Sequence, residues 1–254
     1  MIPPIRTSAA VAACWLAIVS APYAETGTPE FDPLGEHDNL PKMIRVQVEF
    51  IEVSHPQYTE LMATPRKTAN DTDLRARLTT LANEGKATVV ETLVATGKSS
   101  QKATSESIEE VIYATEYEPP ELPTNVGTTQ PKSEPNSDAV TGPTPSAWDT
   151  RNTGGTLEIE PTICEDSHFI DIRLVPEIVY HVGNRVWMEW QDAHGKANIE
   201  MPDFYTVRMN TSLTVVDGQP FLAAALSPKN DKGVCDPTRK LMVFVRADII
   251  IVGK

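Results

Sequence analysis

The stretch Met43-Ile44-Arg45-Val46-Gln47-Val48-Glu49-Phe50 decides the fold class. Ile44, Val46, Val48 and Phe50 share one parity, and Arg45, Gln47 and Glu49 share the other. That period of two is the pattern of a strand with one face in a core and one in water. At Ile51 the apolar parity moves to Ile51 and Val53, which predicts a bulge or a strand end buried on both faces. His55-Pro56 then stops the strand.

Working outward, Asp71 is a plausible N-cap for a short amphipathic helix on which Leu74, Leu78 and Leu81 recur at helical spacing, with Gly85 at the C-cap position. Lys86 to Ala95 and Ser107 to Thr115 follow as β-rich runs. From Gly154 the signal is strongly β. Thr156 to Pro161 alternates, and Ile170, Ile172, Leu174, Pro176, Ile178 and Tyr180 hold one parity, which predicts a long strand with one wet face. Tyr205 to Val215, the Asp217-Gly218 turn and Phe221 to Leu226 predict strand, tight turn and strand. Leu241 to Val252 is apolar on both faces, as a central strand is. The expected class is α+β, mainly β, with antiparallel sheets and one long Pro-rich insertion.

Ahead of the first strand, Arg6 and the apolar run from Ala9 to Ala21 have the form of a secretory signal, expected to cover residues 1–24. The cleavage site is open between Ala21 and Ala24, and Cys14 in Val11-Ala12-Ala13-Cys14 offers a lipoprotein-type alternative. Residues 25–41, rich in Pro, Gly and acid, are expected to be a flexible lead-in. Seven of the 21 prolines fall between Glu116 and Ala147, so residues 116–150 are expected to be a disordered linker between the halves 42–115 and 151–254. The net charge of −13 becomes −14 once the signal is removed, because Arg6 leaves and no acid does. A chain that acidic excludes nucleic acid and anionic lipid as partners.

Little in the chain points to catalysis. The five histidines, at 37, 55, 168, 181 and 194, form no HExxH, HxH or i, i+4 pair, and no G-x-S-x-G elbow or phosphate-binding glycine loop occurs. Gly154-Gly155 has no following helix and reads as a bend before a strand. Neither an enzyme, a cofactor nor a small-molecule substrate is therefore expected. Cys164 and Cys235, the two thiols outside the signal, are expected to form a disulfide in an oxidising compartment. A metal site of Cys164, His168 and Cys235 is the sharper alternative, but it lacks a fourth ligand and a local Cys pair. Trp187-Met188-Glu189-Trp190 is the most unusual cluster, with Trp187 and Trp190 as an interfacial anchor or subunit contact, or simply hairpin packing.

The order of these pieces resembles the secretin domain of bacterial type II and III secretion and type IV pilus systems. The pieces are Val46 to Val53, Gly85 to Val90, Gly155 to Ile163, Ile170-Asp171-Ile172-Arg173-Leu174-Val175-Pro176-Glu177-Ile178, Val215 to Pro220 and Leu241 to Ile250. Asp217, Gly218 and Gln219 match the family's turn with a D-G-Q signature. Two family segments are replaced, by Gly97 to Lys102 and by Ser227 to Pro237, the latter standing where the family has V-P-x-L-G-x-I-P-x-L-G. The resemblance implies a secretin-like component of a secretion or pilus assembly in the periplasm or outer membrane. Its implied partners are further copies of the chain or other secretion or pilus components. A stand-alone periplasmic interaction module with no pore is the alternative that the replaced segment leaves open.

Overall fold

The structure, a computed structural model, describes residues 40–64, 68–119, 142–166, 168–191 and 196–253. The expected signal lies outside the described residues, as does nearly all of the lead-in. Strand β1 (Lys42–Ser54) leads into helices α1 (His55–Met62) and α2 (Thr72–Asn83), then strands β2 (Ala87–Lys98), β3 (Ala103–Glu118) and β4 (Thr144–Ile163). Strands β5 (Phe169–Met188), β6 (Ile199–Arg208), β7 (Thr211–Val216), β8 (Phe221–Leu226) and β9 (Arg239–Ile251) complete the chain. All pairings are antiparallel, in a four-stranded sheet ordered β2-β1-β9-β8 and a five-stranded one ordered β3-β4-β5-β6, with β7 also paired to β5.

The alternation in β1 is resolved by three layers. Ile44, Val46, Val48 and Phe50 face the five-stranded sheet, where they pack with Leu157, Ile159, Ile172 and Leu174. Ile51 and Val53 face the helices and pack with Leu61, Leu74, Leu78, Met242 and Phe244. Both readings of the parity change hold. The strand end is buried on both faces, and the β1–β2 register shifts between Phe50 and Ile51, whose partners are Glu91 and Val89. β9 is central as expected, with Val243, Val245 and Ala247 toward one layer and Met242 and Phe244 toward the other.

Helix α1 is absent from the sequence reading, yet it carries a local signature. Ser54 and Gln57 form a capping box, Ser54 Oγ accepting from Gln57 N at 3.4 Å and Gln57 Oε1 from Ser54 N at 3.3 Å, with Pro56 in the first turn. Asp71 sits at the N-cap of α2 but its side chain does not cap that helix. Its buried carboxylate instead accepts Leu222 N at 2.8 Å, while its own N–H donates to Pro220 O at 2.9 Å, tying the helix layer to the start of β8. Arg75 grips Glu49 through two bonds, 2.6 and 2.9 Å, and holds that carboxyl below its usual range.

Two expectations are corrected. Tyr205 to Leu226 is not a hairpin, because β6 and β7 pair with β5 while β8 pairs with β9. Residues 116–118 and 144–150 belong to β3 and β4, so the ladder runs into both ends of the proline-rich stretch, whose composition hid the strands. Residues 120–141 of that stretch lie outside the described residues. Phe50 lies in the core between the sheets at 0% exposure. Phe50→Ala is expected to lower unfolding stability by about 3–5 kcal/mol, read from the denaturant midpoint at unchanged m-value.

Candidate assembly surface

The turn at Asp217-Gly218-Gln219 carries the chain from one sheet to the other. Gly218 takes φ of +72°, which a glycine adopts without penalty, and its N–H donates to Ala247 O at 2.8 Å. Asp217 Oδ1 accepts Ile249 N at 2.8 Å, and Asp217 N donates to His168 O at 2.9 Å. The turn thus continues the ladder of β9 past the end of β8, so the signature residues join the two sheets rather than close a hairpin.

At the other end of the five-stranded sheet the strands separate. Gly154 has φ of +106°, and a Cβ there would meet Ser107 O at 2.3 Å, while one on Gly155 would meet Leu93 across the core at 2.7 Å. The β4–β5 register stops at Gly154 and Val179, and β3–β4 and β5–β6 continue as two hairpin arms. Phe204 holds the arms together, its ring 6.1 Å from Tyr113 and 5.7 Å from His181. Their surfaces expose large apolar side chains, Trp187 at 65%, Ile112 at 64% and Trp148 at 62%, beside exposed Ile108, Val186 and Met188. Trp190 is half-buried, close enough to Gly142 that a Cβ there would lie 3.2 Å from its ring. At the opposite end of the same sheet, exposed Glu160, Asp171, Arg173, Ser212 and Thr214 face solvent. Trp148 escaped the sequence reading because it sits in the expected linker, and Ile112 was read only as part of the β-rich run Ser107 to Thr115.

The loop from Ser227 to Thr238 is fastened by Arg239. Its guanidinium donates to Glu52, to Asp236 Oδ2 at 2.8 Å and to Lys229 O at 2.6 Å, and Lys229 Nζ lies 5.1 Å over the Tyr180 ring. Asp236 also accepts from the Thr238 hydroxyl at 2.6 Å and the Thr238 N–H at 2.9 Å; those bonds, with Arg239, depress its pKa to about 2. A depressed carboxylate contributes stability above its unfolded pKa and loses it as pH falls through the folded value. The Thr238 amide resonance should therefore titrate with a midpoint near 2 rather than 3.8, and Asp236→Asn should abolish that step.

Cys164 and Cys235 are free thiols, so the expected disulfide is not formed. Cys164 follows β4 at the Ile163–Ile170 end of the β4–β5 pair, where burial and then Asp171 push its thiol up. Cys235 bridges Lys229 in the loop beside Tyr180, ten residues further along β5, roughly 33 Å at strand spacing and far beyond disulfide reach. The same separation rules out the metal site of Cys164, His168 and Cys235, and the described residues hold no cluster of His, Cys, Asp and Glu suited to a metal. His55 is engaged by Pro237 O, and His37 and His194 lie outside the described residues.

No family profile and no curated protein matches the chain in sequence. Among solved structures, a chain of the ETEC pilotin–secretin AspS–GspD complex is similar at 12% identity and a TM-score of 0.41, over 86% of this chain and 51% of that one. The Salmonella SPI-1 type III secretion injectisome secretin InvG is similar at 10% identity and a TM-score of 0.39, over 85% of this chain and 63% of that one. The V. cholerae type IV competence pilus secretin PilQ follows at 11% identity and a TM-score of 0.31, over 83% and 60%. This chain spans about half to two thirds of the length of those chains. They are secretins or secretin complexes, the family whose motifs the sequence resembles.

The turn that joins the sheets yields a stability test. Asp217→Ala is expected to cost about 1 kcal/mol by removing the acceptor for Ile249 N, and Asp217→Asn, which keeps an acceptor, less than half of that. Equal losses for both variants would assign the effect to charge instead.

Proposed function

We propose that the chain is a secretin-like, non-catalytic structural component of a Gram-negative-type cell envelope, working within a protein secretion or type IV pilus assembly. The observation that carries this is the division of the five-stranded sheet into a polar end and a pair of arms with exposed Trp148, Trp187 and Ile112. Tryptophan places an apolar body beside a polar N–H, which suits a boundary between water and a membrane or a neighbouring subunit. Export through residues 1–24 and a position in the periplasm or at the outer membrane accord with that surface. The open edges of both sheets provide the sites at which copies or other components add.

One observation favours the alternative of a stand-alone interaction module. The loop that replaces the family's Pro-Gly-rich segment is tied down by Arg239 on three sides, so it is built as a fixed strap and not as a free gate.

Sedimentation velocity on the detergent-extracted mature protein separates the two. An assembly of chains that each carry −13 or more should tighten between low and moderate salt, as repulsion is screened over roughly 8–10 Å. Trp148→Ser with Trp187→Ser should weaken it without shifting the unfolding midpoint. A monomer at every salt concentration would leave the stand-alone module.

A further inference from the structure

The helix layer stops short of the end of the sheet it covers, and a pocket of about 360 Å³ opens where it stops. Phe244, Pro220 and Ala76 form its apolar wall, Thr72 and Thr79 line it from α2, and Arg246 lines it from β9. The pocket thus touches three parts of the fold at once: the helix layer, the turn that carries Gly218 and the central strand.

The charges around it do not balance. Glu49 is matched by Arg75, whose remaining amino group donates to Thr79 Oγ1 at 2.6 Å. Asp217, on the adjoining turn, gives its carboxylate to Ile249 N. Asp248 alone answers two arginines, Arg246 at 3.1 Å and Arg45 at 3.8 Å. One positive charge is therefore left over beside an apolar wall, in a chain whose net charge is −13. The hydrogen bonding of Arg246 is incomplete too. Its Nη2 donates to Asp248 Oδ2 at 3.1 Å and reaches Gln47 Oε1 at 3.5 Å, whereas Nε, shut off from solvent, is the one buried side-chain nitrogen or oxygen without a partner among the described residues. A guanidinium is a fork that holds a carboxylate through two parallel N–H groups, and here one prong is idle. A buried donor left unmet carries the full cost of its lost hydration.

We infer that this pocket binds a small organic carboxylate, with its charged end on the Arg246 fork and its apolar body against Phe244, Pro220 and Ala76. Because Nε is shut off from solvent, the Arg246 side chain turns from Asp248 to the incoming carboxylate, which takes both Nε and Nη2. Asp248 keeps Arg45, so the exchange strands no charge. A monocarboxylate suits the site better than phosphate does, because only one arginine is uncommitted and a doubly charged anion needs more than one cation to offset its lost hydration. Binding is a property of the single chain, so it stands or falls apart from the reading of the chain as an assembly component.

The probe is benzoate, with benzyl alcohol as its uncharged counterpart and inorganic phosphate as the competing anion, each titrated into the mature chain and read from the arginine Nε–H and backbone amide resonances. Benzoate should shift the Arg246 Nε–H and the Ala76 and Gly218 amides saturably, with a Kd of about 0.1–5 mM, since one charged pair and a small apolar contact act within a net-negative chain. Benzyl alcohol and phosphate should each bind at least about tenfold more weakly. Arg246→Gln should lower benzoate affinity about tenfold or more at otherwise unchanged amide shifts, and Arg246→Lys, which keeps the charge without the fork, should recover only part of it. Absence of a saturable shift by about 20 mM benzoate, equal affinity for benzyl alcohol, or tighter binding of phosphate overturns the inference. Shifts at Arg77, Arg151 and Arg185 that match those at Arg246 overturn it as diffuse ion binding. Should Arg246→Gln disturb the fold, wild-type affinity in Arg246→Lys overturns it alone.

Discussion

The β1–β9 pair is the constraint on which everything else rests. Its register runs without interruption from Lys42 opposite Ile251 to Ser54 opposite Arg239. One face of that pair supports the five-stranded sheet along its whole length, and the other is covered by α1 and α2 only where Ile51, Val53, Met242 and Phe244 replace polar residues. A one-residue slip would place Arg45, Gln47 and Glu49 in the sandwich and expose Val46 and Val48, so the side-chain pattern fixes the register as firmly as the backbone does. The helices need no independent stability, being short and held by the apolar end of two strands.

Two kinds of junction turn this pair into a molecule. At one end the Asp217–Gly218 turn bonds to Ala247 and Ile249 and closes the seam between the sheets. At the other, the absent side chains of Gly154 and Gly155 let β4 pass close to β3 and to Leu93 and then depart from β5. The same sheet is therefore sealed at one end and split at the other. Asp71 adds a third tie by giving its carboxylate to β8 instead of to its own helix, so the helix layer also covers the first bond of an open edge.

The class of fold was legible wherever one face is buried. The parity of Ile44 to Phe50, of Ile170 to Tyr180 and of Leu241 to Ile251 records burial directly, and the burial change at Ile51 was written as a parity change. Partner choice was not. Val216 and Phe221 are separated by a sequence that reads as a tight turn whether the strands on either side pair with each other or, as here, with β5 and β9. The arms were legible only in part, through Ser107 to Thr115 and the Trp187–Trp190 cluster, for a related reason. Beyond Gly154 neither face is deeply buried, alternation fades, and composition alone made Thr144 to Thr150 look like linker. The disulfide expectation failed because counting thiols says nothing of distance, and β5 holds the two apart.

That loss of signal is itself informative about how the arms behave. The core end joins three layers through fully buried Phe50, Ile159, Leu174 and Phe244, whereas the arms are held by two-stranded ladders and the Tyr113, Phe204 and His181 rings. Isolated hairpins are marginal in water, so opening there costs far less than global unfolding. Exposed Trp148, Trp187 and Ile112 sit on these arms, so any cover over those side chains would also stabilise the arms. The fold thus places its deepest burial at the sealed end and its exposed aromatic contacts at the split end.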